Sequence, residues 1–76
     1  MSQHLPVISG RKAVKAFADF GFEVLPHRGK GDHIILAKQG HPAILTVPDH
    51  KELKRGTLRS LIRDAGLTVD EFCAAL

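Results

Sequence analysis

Seventy-six residues, 43% hydrophobic and 25% charged, are enough for one small domain. A chain of this size buries only about 60–65% of its unfolded surface, which excludes a deep enclosed pocket. A net charge of +3 suits a polyanionic partner without demanding one, and four aromatic residues, all Phe, supply few platforms for stacking bases.

The first eight residues include Pro6 and read as an extended lead-in. Ser9 is a good N-cap for a helix over residues 10–20, with Val14, Phe17 and Ala18 as its apolar stripe. Gly21 sits where a left-handed stop belongs, and Phe22 follows within reach of Phe17, the contact that accompanies such a stop. Residues 22–27 alternate and contain Pro26, which predicts a short edge strand. Residues 28–32 form a loop. A second strand is expected over 33–38, a turn over 39–42, and a third strand over 43–47. The short turn makes the last two an antiparallel hairpin, and Pro48 is expected to end the sheet. Residues 49–56 form a basic loop in which Leu53 points inward.

Leu58, Leu61, Ile62 and Ala65 mark a helix over 57–65 that stops at Gly66, with Leu67 lying back over Ile62. Thr68 and Glu71 have the spacing of a capping box, Leu67 and Phe72 that of a hydrophobic staple, and a last short helix covers 69–75. The order is α-β-β-β-α-α. The expected class is therefore α+β: one domain over residues 1–76, a three-stranded antiparallel sheet with helices on one face and solvent on the other. The first five elements have the order of a double-stranded-RNA-binding domain, which by itself assigns no function.

Cys73 is the only cysteine. It is expected to be a small buried or half-buried residue, and the absence of a disulfide framework points to a reducing cytoplasm. No apolar run approaches the ~20 residues of a membrane span. With one cysteine there is no paired-thiolate zinc set, and the carboxylates are scattered, so no metal or cofactor is expected.

Strand alternation places Ile34, Leu36, Leu45 and Val47 against the helices and His33 on the open face, beside Lys30 and within reach of Arg28. A neutral imidazole there could take the proton from an RNA 2′-hydroxyl, so that the oxygen attacks the adjacent phosphate. Arg28, Lys30 or Lys38 could stabilise charge on the phosphoryl oxygens. Gly29 and Gly31 give the preceding loop its freedom. A histidine closing a hairpin is more often a plain surface residue, and the local pattern leaves both readings open. His27, His41 and His50 are the other loop candidates. Lys51, Lys54, Arg55, Arg59 and Arg63 stand against one acid, Glu52, in residues 51–63; this segment is either a solvated face or a contact for phosphates or an acidic protein.

Several stretches resemble the HicA (YcfA-like) toxins of bacterial type II toxin–antitoxin modules, over about residues 5–76. They are Ser9-Gly10, then Gly21-Phe22-Glu23-Val24, then Gly31-Asp32-His33. Thr46-Val47-Pro48 with His50 follows. The most specific run goes from Leu53-Lys54-Arg55-Gly56-Thr57-Leu58-Arg59 through Gly66-Leu67-Thr68 to Glu71-Phe72.

The resemblance implies a double-stranded-RNA-binding-like fold and a ribosome-independent, metal-independent mRNA interferase with His33 as catalytic base or acid. From the charge pattern above, Lys54 and Arg59, with Arg28, Lys30 and Lys38, are the expected RNA contacts, and Gly29, Gly31 and Asp32 are expected to position His33. The resemblance also implies a toxin monomeric alone, in hetero-oligomeric complex with a HicB-type antitoxin that masks the histidine. Asp32 stands where the family usually carries Ser. Two other readings compete: a non-catalytic RNA-binding module, and an activity-impaired homologue serving as a protein-interaction subunit.

Overall fold

The computed structural model describes residues 5–26 and 31–76. Helix α1 (Gly10–Ala18) starts at Ser9, whose hydroxyl accepts from Lys12 N–H at 3.0 Å. Its last turn tightens through Asp19 N–H to Ala16 O and Phe20 N–H to Phe17 O. Gly21 then takes φ +97°. Gly21 N–H reaches Ala18 O at 3.0 Å and Phe22 N–H reaches Phe17 O at 3.4 Å, the paired bonds of the expected glycine stop. The buried side of α1 is Gly10, Ala13, Ala16 and Phe17. Ala18, expected in the stripe, is exposed and Val14 only half-buried. The i, i+3, i+4 set built on Ala13 faces the core, one position round from the set anticipated.

Strands β1 (Glu23–Val24), β2 (His33–Ala37) and β3 (Leu45–Pro48) form one antiparallel sheet in the order β1-β2-β3. β1 is shorter than the alternation suggested, although Leu25 N–H still donates to Ile35 O at 2.8 Å. β3 starts two residues late and includes Pro48, the Cα partner of His33. Pro48 is the last strand residue, as expected, and one hydrogen bond, Asp49 N–H to Asp32 O, follows it. A proline without N–H is tolerated there because β3 is an edge strand.

Helix α2 (Arg55–Asp64) begins earlier than its pattern indicated, and its N-cap Lys54 makes no side-chain cap bond. Tertiary contacts anchor this end of the helix. Arg55 Nε donates to Leu5 O at 3.0 Å, and Leu53 N–H, on a buried side chain, donates to Ile8 O at 2.8 Å. Gly66, at φ +77°, stops α2, with Leu67 N–H returning to Ile62 O at 3.1 Å. The capping box of α3 (Val69–Ala74) is complete: Thr68 Oγ1 accepts from Glu71 N–H and Glu71 Oε1 accepts from Thr68 N–H.

The core lies between α1, α2 and one sheet face. Leu36, Leu45 and Val47 come from the sheet, Leu58 and Ile62 from α2, and Phe17 from α1. Phe17 packs on Phe22 (6.1 Å, edge-on) and on Phe72 of α3 (4.9 Å). Ile34, also on the covered face, is half-buried against this core, as is Cys73. The register puts Glu23, Leu25, Ile35, Ala37, Thr46, His33 and Pro48 on the other face, which no helix among the described residues covers. No helix among the described residues is long and apolar enough to cross a membrane.

Candidate active site

Gly31, at φ +63°, turns the chain, and after exposed Asp32 the exposed His33 opens β2. Two elements fix this end of the sheet. The first is the β3 edge, through the His33–Pro48 pair and the Asp49 N–H to Asp32 O bond. The second is the start of α1. Gly10 N–H donates to His50 O at 2.8 Å, and a Cβ on Gly10 would overlap the carbonyl oxygen of Pro48. A glycine in the first turn is otherwise a poor helix residue; here it lets the helix rest on the strand end.

Arg11, the next residue, forks onto Asp49, Nε to Oδ1 at 3.1 Å and a terminal nitrogen to Oδ2 at 3.3 Å. The hydrogen bond and then the charge of Asp49 push the Arg11 pKa above its ordinary value. Arg11 is exposed, so the pair adds little stability, but it spends the guanidinium on a carboxylate at the edge of the site. Nothing in the sequence signals this pair, since 38 positions separate its members.

An open groove of about 250 Å³ runs from Pro48 along His50, Glu52, Leu53, Lys54 and Thr57. Pro48 is thus both a wall of this groove and the cross-strand neighbour of His33. Of the residues expected to contact RNA, Lys54 lines it. Lys38 is not near His33. Five residues along an extended chain put it about 16 Å away, and its Nζ lies 5.7 Å from the ring centroid of Phe22, on the helix side. Arg59 is exposed on α2, in the layer opposite the open face. Arg28, Gly29, Lys30 and His27 lie outside the described residues.

Two further histidines are described, and they differ. His41 is half-buried; its Nε2 donates to Asp64 O at 2.7 Å, and its ring meets Phe22 edge-on at 5.4 Å. It ties the β2–β3 turn to the end of α2. His50 is exposed and lines the groove. No group of three or more metal-ligating side chains occurs among the described residues.

These features define an α+β protein: an open three-stranded sheet in the element order of double-stranded-RNA-binding domains plus one helix, with an exposed histidine at the mouth of its middle strand. A family model described as the HicA toxin of bacterial toxin–antitoxin systems matches residues 10–67, and the chain belongs to that family. A chain from the solved structure of a toxin–antitoxin complex from Streptococcus pneumoniae is similar to it, with 33% identity and a TM-score of 0.70. The match covers 79% of this chain and 98% of that one. A search of curated proteins gave no match.

Proposed function

We propose that residues 1–76 act as one toxin domain that cuts mRNA in the cytoplasm without a metal, with His33 as general base, and that a HicB-type antitoxin neutralises it. The observation that carries this reading is the exposure of His33 at the first position of β2, on the face no helix covers. In the forward step the His33 imidazole takes the 2′-hydroxyl proton. The 2′-oxygen bonds to phosphorus, the bond from phosphorus to the 5′-oxygen breaks, and a 2′,3′-cyclic phosphate and a 5′-hydroxyl remain. A positioned base contributes about 10² to 10⁴ in rate, and a rigid strand holds it better than a loop would.

The rest of the open face supports a protein partner. Leu25, Ile35 and Ala37 are apolar there, and Ile44, just before β3, is 60% exposed. Grouped apolar surface beside a reactive side chain suits an antitoxin that covers both.

Expression of the wild-type chain should arrest growth, co-expression of the partner should relieve it, and His33→Ala should be folded and harmless. A folded His33→Ala protein that remains equally toxic would sink the assignment. End-group analysis tests the chemistry: a cyclic phosphate formed in the presence of EDTA is expected. Salt-dependent binding with the RNA left intact would instead establish a non-catalytic RNA-binding module.

A further inference from the structure

We propose that His50 is a second catalytic residue, the proton donor to the departing 5′-oxygen; this rests on the ribonuclease reading above. The argument begins with the β2–β3 ladder. His33 pairs with Pro48. Continuing the register one step pairs Asp32 with Asp49, and the bond that this step requires is present. The paired strands stop there, Gly31 turning the chain at φ +63°, and His50 follows Asp49 directly, two positions beyond Pro48. Side chains two positions apart along an extended chain share a face, so His50 falls on the side of Pro48, the cross-strand neighbour of His33. Each catalytic hydrogen bond reaches about 2.6–3.2 Å. Two imidazoles rooted at this one end of the sheet can bracket one phosphodiester, one at each in-line oxygen.

Three further observations single out His50. Its main-chain carbonyl is held by Gly10 N–H at the start of α1, which leaves the side chain available while fixing its root. It lines an open groove with Lys54, a place for the continuing RNA strand. His41, the other described histidine, is committed to Asp64 O.

The step balances. The 2′-hydroxyl proton goes to His33, the 2′-oxygen to phosphorus bond forms, and the phosphorus to 5′-oxygen bond breaks. His50, entering as imidazolium, gives its proton to that oxygen. Solvent then resets both rings.

Among the described residues, the charged groups around His50 include Lys51 next to it in the chain, Glu52 and Lys54 in the groove, the Arg11–Asp49 pair from α1 and the strand end, Asp32 bonded to Asp49, and His33 itself. A base must be deprotonated and an acid protonated.

The test uses a short RNA containing a linkage the wild-type protein cuts, made with either oxygen or sulfur at the 5′-bridging position. A sulfur leaving group departs without a proton. His50→Gln should cut the oxygen substrate about 10²- to 10⁴-fold more slowly and cut the sulfur substrate near the wild-type rate. His33→Gln should fail on both. A His50→Gln or His50→Asn protein equally slow on both substrates, or at wild-type speed on the oxygen one, overturns the proposal and leaves His33 untouched. A wild-type protein that cuts no RNA overturns the ribonuclease reading itself, and this proposal with it.

Discussion

At the scale of single residues, two glycines show how context sets the sign of one substitution. A Cβ on Gly10 would run into the Pro48 carbonyl and the Asp49 Cα, whereas one on Gly56, in the first turn of α2, would meet nothing within 4 Å. Gly10→Ala must push α1 off the strand end, and overpacking of this kind costs roughly 1–3 kcal/mol. Gly56→Ala should stabilise by about 0.5–1 kcal/mol, because alanine restricts the unfolded chain and fits the helix. Urea unfolding at constant slope would measure both, and equal shifts of the same sign would refute the contact argument. Under the proposed function, Gly10→Ala should also slow RNA cleavage beyond its effect on stability, since α1 meets Pro48 and His50 at Gly10. His33 is readable from sequence as a candidate because alternation fixes its face. Lys38 is not its neighbour, because the strand carries it to the far end, a displacement that residue counting alone does not convey. The Arg11–Asp49 fork is invisible in the sequence: it joins two elements that only folding brings together.

At the scale of elements, the parts specified by local chemistry are the legible ones. The stops at Gly21 and Gly66 and the Thr68–Glu71 box use groups a few residues apart, and all three occur where the pattern puts them. The boundaries that differ are set by tertiary contacts. The start of α2 is held by Leu5 and Ile8 rather than by a capping side chain, and β3 extends through Pro48 because β2 and α1 support it. A cap that is local should behave locally. Thr68→Ala removes the acceptor for Glu71 N–H and should cost about 1 kcal/mol, a fall in Tm of roughly 4–8 °C for a domain of this size. Calorimetry would check it, with activity at low temperature retained because α3 lies in the helix layer and not at the His33 end. A larger loss would mean that the Phe72–Phe17 contact depends on the box as well.

At the scale of the whole molecule, the charges and the candidate chemistry lie in different layers. Arg55, Arg59 and Arg63 recur at i, i+4 along α2, where like charges repel one another. Arg55 is partly occupied by Leu5 O, and Arg59 and Arg63 are exposed. His33 is on the opposite side of the sheet. Under the proposed function, these arginines hold a partner at a distance from the reaction. Arg59→Gln with Arg63→Gln should therefore raise KM for RNA and leave kcat unchanged. The log–log salt slope of single-strand binding should flatten by about 0.7 for each phosphate that is no longer neutralised. A drop in kcat with KM unchanged would place the arginines in the chemistry instead. If neither parameter moves while antitoxin binding weakens, the stripe belongs to the protein interface.

The hydrogen bond from the Asp49 amide to the Asp32 carbonyl also offers a built-in gauge. It lies one ladder step beyond His33, where the strand pair meets the loop. Its proton should exchange with deuterium slowly while the ladder is zipped and quickly when that end frays. Followed by NMR, that single amide would report, without any assay of RNA, whether an antitoxin clamps the His33 end shut or only shields it.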